Sequence, residues 1–309
     1  MLCRRQKFLS IICLGALVPI FAHADEADLV AALQNTYSAC IGIDEALADL
    51  KKMSGINTAI TGVGTGLGAG ATIVGIVKES TDQTIDDLLR ELAEMEDDKD
   101  IPTDEQVYSW LKEYHANKNT KQSEIDKLTQ KSKSLGNWRT GLLAGNTATN
   151  VAGAIIAGKN TTDGDLQNQI DNCKTAISEL RRARGRARID GVDVGEANSI
   201  ISACEGFETV DISKINTRAK GAMISSAIGA TTGLSGTITS AVANSDSIRS
   251  QKNADGTRTD KEKNLNAASN VLAGASTVAS GVATVFNATQ ISAIKKVAEV
   301  ATKCTEALK

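Results

Sequence analysis

Aromatic residues make up only 3% of this 309-residue chain, and proline and histidine occur twice each. The two prolines are Pro19 and Pro102, so long stretches carry no obligatory helix break. The histidines, His23 and His115, cannot complete a zinc site or a cysteine–histidine pair. Gly-x-Ser-x-Gly, a phosphate-binding loop and a dinucleotide fingerprint are all missing. Carboxylate pairs such as Asp86 and Asp87 are too common on helices to signal catalysis. The acidic run from Glu94 to Asp100 lacks the spaced ligands and glycine of an EF-hand loop. No catalytic, cofactor-binding or metal-ligating residue is therefore assigned, and the chain reads as non-enzymatic.

The first 24 residues read as a secretory signal. Arg4, Arg5 and Lys7 open it, an apolar run from Phe8 to Phe21 follows, and Ala22-His23-Ala24 fits the small-x-small cleavage pattern. Export to a periplasmic or extracellular compartment is expected, with membrane association as an option. Taking the signal's three cations from the formal charge of −3 leaves the rest near −6, which argues against general nucleic-acid binding.

Four cysteines remain, Cys40, Cys173, Cys204 and Cys304, an even count that suits two disulfides in an oxidising compartment. Four cysteines allow three connectivities, and an internal duplication chooses among them. Ser38-Ala39-Cys40 recurs as Ser202-Ala203-Cys204, Ile56-Asn57-Thr58 as Ile215-Asn216-Thr217, and Thr65-Gly66-Leu67 as Thr232-Gly233-Leu234. The Gly62/Gly66 spacing recurs as Gly229/Gly233, Leu142–Gly145 as Val271–Gly274, and Cys173–Ala176 as Cys304–Ala307. Each copy runs cysteine, small-residue arm, polar connection, small-residue arm, cysteine. Pairing within copies, Cys40–Cys173 and Cys204–Cys304, is the economical reading; a bond across the join, such as Cys173–Cys204, is the alternative.

The expected fold is all-α: two tandem, disulfide-closed helical hairpins whose Gly/Ala/Ser/Thr-rich helices pack closely. The first occupies 25–178 with a long helical connection at 79–135, a basic linker covers 179–199, and the second occupies 200–309. The four arms, 53–77, 140–158, 221–245 and 264–294, contain no charged residue. Gly62, Gly66 and Gly70 lie four apart, and Gly145, Gly153, Gly229, Gly233, Gly274 and Gly281 are further candidates for close helix approach. Val271, Ala275, Val278, Val282 and Val285 alternate by four and three, a heptad seam, with Ala267, Gly274, Gly281 and Ala288 as a second. The period-two alternation of 62–68 would also suit a strand, but the other arms lack it.

The arms are long enough to cross a bilayer. Against that, 221–245 holds only six Met, Ile, Leu or Val residues, and each gains a membrane helix only about 0.3–0.6 kcal/mol. The leading expectation is therefore an exported structural or interaction protein, its partner an unidentified protein or a second copy. The alternative is a membrane-active or membrane-inserted protein built on glycine-zipper hairpins. Arg181, Arg182, Arg184, Arg186 and Arg188 form a basic run that could touch an anion, though no aromatic interleaves it as a stacking platform would need.

Overall fold

The computed structural model describes residues 24–97, 106–161 and 164–309. The signal segment up to residue 23 lies outside these, as does Pro102. The described residues are all-helical and contain no strand; an isolated bridge joins Lys252 to Arg258. Helix α1 spans Ala24–Cys40, α2 Ile43–Asp97, α3 Val107–Lys159, α4 Asp165–Ile189 and α5 Gly195–Cys204. After a 3₁₀ turn come α6 at Ser213–Ala243, the short α7 at Asp246–Arg249 and α8 at Asp260–Ala307. Residues 62–68 are helical despite their alternation, with Gly64 and Gly68 leaving room for α3 and α8. The first half of 179–199, read as a linker, completes α4.

Two compact units emerge, and each draws on both halves of the chain. Of the described residues, 24–47, 164–211 and 296–309 form the first; 48–97, 106–161 and 212–295 form the second.

The first unit follows the ordinary rule for water. Its buried side chains include Leu29, Ile170, Ile177, Leu180, Ile200 and Phe207. Helix α1 packs antiparallel on α4, with the Thr36 hydroxyl donating to the Ala176 carbonyl and Arg186 reaching Asp28 at 3.1 Å. Cys40 is bonded to Cys173 and Cys204 to Cys304, with Cα–Cα distances of 4.8 and 4.4 Å. The sulfurs of Cys40, Cys173 and Cys304 lie within 4.8 Å of one another, so the two bonds are neighbours. Cys40, Cys204 and Cys304 each sit in a helix's last turn, whose negative end disfavours thiolates; disulfides keep the cluster neutral.

The second unit is an antiparallel bundle of α2, α3, α6 and α8. Its buried positions step by three and four, but apart from Leu143, which packs with Ala71 and Ala273, what is buried in the arms is mostly small or polar. Helix α2 buries Ser54, Asn57, Thr61, Gly64, Gly68, Ala71, Gly75 and Lys78. Helix α3 buries Arg139, Leu143, Asn146, Asn150, Gly153 and Ala157 in the same rhythm. Helix α6 buries Ala222, Ser226, Gly229, Gly233, Gly236 and Ser240. Helix α8 buries Asn266, Ser269, Ala273, Ser276, Ser280, Ala283, Asn287 and Gln290.

The valine seam on α8 therefore faces the other way. Val271, Val278 and Val285 are exposed at 72%, 67% and 63%. A heptad step specifies that residues share a face, not which face turns inward. The same correction applies to the glycines. Around Gly62, Gly66 and Gly274 there is open space, and Gly281 comes no nearer than 3.9 Å to Thr65. Gly70 and Gly145 meet leucine tips, of Leu142 and Leu67. Gly153, Gly229 and Gly233 do face close neighbours, and on α2 that task falls to Gly64, Gly68 and Gly75. A Cβ on Gly68 would stand 3.2 Å from the Thr277 Cα, and one on Gly233 3.0 Å from the Ser276 hydroxyl.

Candidate functional site

The arms of the second unit are joined by hydrogen bonds through their polar seam. Asn146 donates to Ser276 and Asn150 to Ser280, both at 2.8 Å, tying α3 to α8. The Ser280 hydroxyl also lies 3.1 and 3.0 Å from the side-chain carbonyls of Asn146 and Asn150. Ser276 donates to the Gly229 carbonyl at 2.7 Å and Ser269 to that of Gly236 at 3.1 Å, tying α8 to α6. Asn57 donates to Asn287 at 3.0 Å, tying α2 to α8. Thr140 and Ser240 share a bond at 2.9 Å between α3 and α6.

The outer surface of the same arms is apolar. Ile56, Val63, Ile73, Ile76, Ile155, Ile224, Ile228 and Ile238 are all exposed. The most apolar 18-residue windows of α2 and α8 reach mean hydropathies of 1.6 and 1.4, yet only 28% and 33% of their residues are buried. Soluble core helices of such hydropathy are mostly buried.

Past Lys78 on α2 and before Arg139 on α3 the pattern reverses. Ile85, Leu92 and Ile125 are buried together, with Leu88, Leu89 and Leu128 packed on them. The outside of this stretch is charged, with Lys118 pairing Glu96 at 2.5 Å and Lys121 pairing Glu91. Trp110 stacks on Tyr114 at 5.4 Å, and His115, exposed, meets the Tyr114 edge. One continuous helical pair is thus polar inside and apolar outside over its arms, then apolar inside and charged outside beyond them.

A buried ion-pair network occupies the changeover. Arg258, only 4% exposed, donates through Nε to Asp86 at 2.9 Å and through Nη1 to Asp82 at 3.3 Å and Glu79 at 3.2 Å. Its backbone N–H also donates to Asp86, at 2.9 Å. Burial opposes the Arg258 charge, but Glu79, Asp82 and Asp86 outweigh it and hold the guanidinium above its ordinary value. Lys78 pairs with Asp82 at 2.5 Å, and Ser132 donates to the same carboxylate. Burial holds the Lys78 ammonium below its usual range, with Asp82 opposing in part. Arg139 donates to the Asn266 carbonyl at 3.3 Å; burial pulls it down to about 10 against the field of Glu79.

The sequence reading missed this network. No local signal ties Arg258 to a carboxylate 172 residues earlier. Of the arginine run, Arg181 pairs with Glu208 at 2.7 Å, Arg186 with Asp28 at 3.1 Å, and Arg184 donates to Asn198 at 3.1 Å. Arg182 and Arg188 are exposed. The acidic run at 94–100 is described only in its first part.

No known protein family, curated protein or solved structure matches this chain.

Proposed function

We propose that this is an exported, non-enzymatic scaffold whose four arms are embedded in a lipid bilayer as two glycine-zipper hairpins. The soluble reading preferred on composition gives way to its alternative. The observation that carries the proposal is the reversal of polarity along α2 and α3. The arms bury Asn, Ser and Gly and expose Ile and Val, whereas the continuation of the same helices does the opposite. One solvent cannot favour both patterns; hydrocarbon around the arms and water around the continuation do. In lipid, apolar burial gives helices no drive to associate, and small-residue packing with interhelical hydrogen bonds takes over.

Length agrees. At 1.5 Å per residue the shortest arm, 140–158, reaches about 28 Å and 53–77 about 37 Å, against a hydrocarbon core of about 30 Å. Trp138, 67% exposed, stands two residues before an arm, where interfacial tryptophans belong.

The tandem duplication suits this role. Each disulfide joins the flank before a copy's first arm to the flank after its second. If every arm crosses once, two crossings separate Cys40 from Cys173 and two separate Cys204 from Cys304. All four cysteines then emerge on one side, the oxidising one that export supplies.

Expression of the full chain, followed by alkaline carbonate extraction of the membranes, tests the proposal. Retention in the pellet, with all four cysteines closed to thiol reagents, is expected. Release into the carbonate supernatant as a folded monomer overturns it.

A further inference from the structure

The two disulfides meet inside the first unit. Cys40 closes α1, Cys173 lies in α4, Cys204 closes α5 and Cys304 stands in the last turn of α8, each exposed by 1% or less. The sulfurs of Cys40, Cys173 and Cys304 lie within 4.8 Å of one another, although Cys304 is bonded to Cys204. Cys204 is not of that group, so Cys304 is the sulfur that its bond turns towards the other bond. Contacts besides the sulfur bonds hold these helices in place. The Thr36 hydroxyl donates to the Ala176 carbonyl at 3.3 Å and Gln169 Nε2 to the Ile41 carbonyl at 3.0 Å, pinning the end of α1 to α4. Lys174 Nζ donates to the Val210 carbonyl at 2.7 Å, and Val300 of α8 packs on Gly206, where an added Cβ would stand 3.0 Å from it. Opening one bond therefore leaves the sulfurs gathered.

We infer that the four cysteines form a disulfide relay, in which Cys304 exchanges with the Cys40–Cys173 bond and oxidation passes between the two copies within one folded chain. A dithiol that reduces Cys204–Cys304 starts it. The Cys304 thiolate attacks the sulfur of Cys40 or Cys173. With Cys40, a Cys304–Cys40 bond forms, Cys40–Cys173 breaks, and Cys173 leaves as a thiolate that takes up the proton Cys304 gave up. Cys204 then attacks Cys304, which re-forms their bond and releases Cys40 as a thiol. The sum carries two electrons and two protons from the second copy's pair to the first's, with no further oxidant or reductant. Reacting atoms meet at about 3–3.5 Å, and rotation of the Cys304 side chain, free once Cys204 is released, covers the difference. The relay needs neither lipid nor partner, so its failure leaves the proposed function standing.

The test uses the exported protein and two variants. Cys204→Ser leaves Cys304 a free thiol beside the closed Cys40–Cys173 bond, and Cys304→Ser frees Cys204 instead. Each is held near pH 8.5, about the ordinary thiol value, then quenched with acid, denatured, alkylated and mapped by mass spectrometry. In Cys204→Ser, label is expected on Cys40 or Cys173 as well as on Cys304, at a rate independent of protein concentration. In Cys304→Ser the exchange is slower on the order of tenfold to a hundredfold, the cost of about 1 Å of misplacement. Circular dichroism verifies that both variants are helical. Wild type treated with limiting dithiothreitol needs no substitution, and single chains with Cys304 bonded to Cys40 or Cys173 are expected in it. Label confined to Cys304 in the first variant, equal rates in the two variants, or native pairs alone in the partly reduced wild type overturns the relay.

Discussion

Val278→Asp separates lipid from water around the arms more sharply than any change to the bundle's interior. Val278 sits near the middle of 264–294, about 21 Å along the helix from Asn264, and its side chain is 67% exposed. In water, such a substitution changes stability by about 0.5 kcal/mol at most, since nothing packed is lost. At the centre of a bilayer the valine contributes about −0.3 to −0.6 kcal/mol and an aspartate about +2.5 to +3.5. The swing is about 3–4 kcal/mol, two to three orders of magnitude in the inserted fraction. The penalty also depends on depth, so Val271→Asp, about 10 Å from the arm's start, costs less. The assay is the partition of in vitro translated protein between liposomes and solution, with unfolding midpoints in buffer as a companion. If Val278→Asp leaves partition unchanged, or if Val271→Asp and Val278→Asp behave alike, the arms are not in hydrocarbon.

Two glycines on α2 predict opposite outcomes for the same change. Gly68→Ala drives a methyl to 3.2 Å from the Thr277 Cα and destabilises by roughly 1–3 kcal/mol, whereas Gly62→Ala meets open space and stabilises the helix by up to about 1 kcal/mol; unfolding midpoints in bicelles report both, and the reverse order refutes the assigned seam. Arg258→Met leaves Asp82 its Lys78 partner but strands Asp86, whose next cation, Lys263, is 4.0 Å away, in a buried setting and costs about 3–5 kcal/mol, part of which Asp86→Leu in the same chain restores; a loss below about 1 kcal/mol shows the network to be as weak as a surface pair.

Helix content was legible because proline is nearly absent and the small residues recur at helical steps. The cysteine pairing was legible because Ser38-Ala39-Cys40 recurs as Ser202-Ala203-Cys204 and Cys173-Lys174-Thr175-Ala176 resembles Cys304-Thr305-Glu306-Ala307. The direction of each face was not. Reading Val271, Val278 and Val285 as a seam assumes that bulky apolar residues turn inward, a rule that holds only where the surroundings are water. Gly62, Gly66 and Gly70 and, two residues on, Gly64 and Gly68 have the same spacing, so spacing could not choose between them. One signal was available: Asn146, Asn150, Ser276, Ser280 and Asn287 keep a three-and-four rhythm inside uncharged arms, and asparagines so placed have little reason to face hydrocarbon. The Arg258 network carried no comparable sign, since its partners meet only through the tertiary fold.

The chain supplies its own control on solvent. The first unit hides Ile170, Ile177, Leu180 and Phe207, and its residues therefore obey the water rule. The continuation beyond the arms hides Ile85, Leu92 and Ile125 and obeys it too. The arms bury Asn146, Asn150, Ser276 and Ser280 and display isoleucine and valine. In water that arrangement loses twice: apolar area goes unburied, and asparagines forgo solvent for bonds worth only about 1 kcal/mol net. In lipid both terms change sign in the comparison. The outer side chains are already in their preferred medium, and an unpaired asparagine amide there would find no water to bond. Hydrogen bonds between arms then hold α3 to α8 and α8 to α6 at modest strength, about 0.6 kcal/mol each on average. Many such bonds, together with backbones brought close at Gly68, Gly153 and Gly233, suffice for helices that have already paid their solvation cost on entering the bilayer.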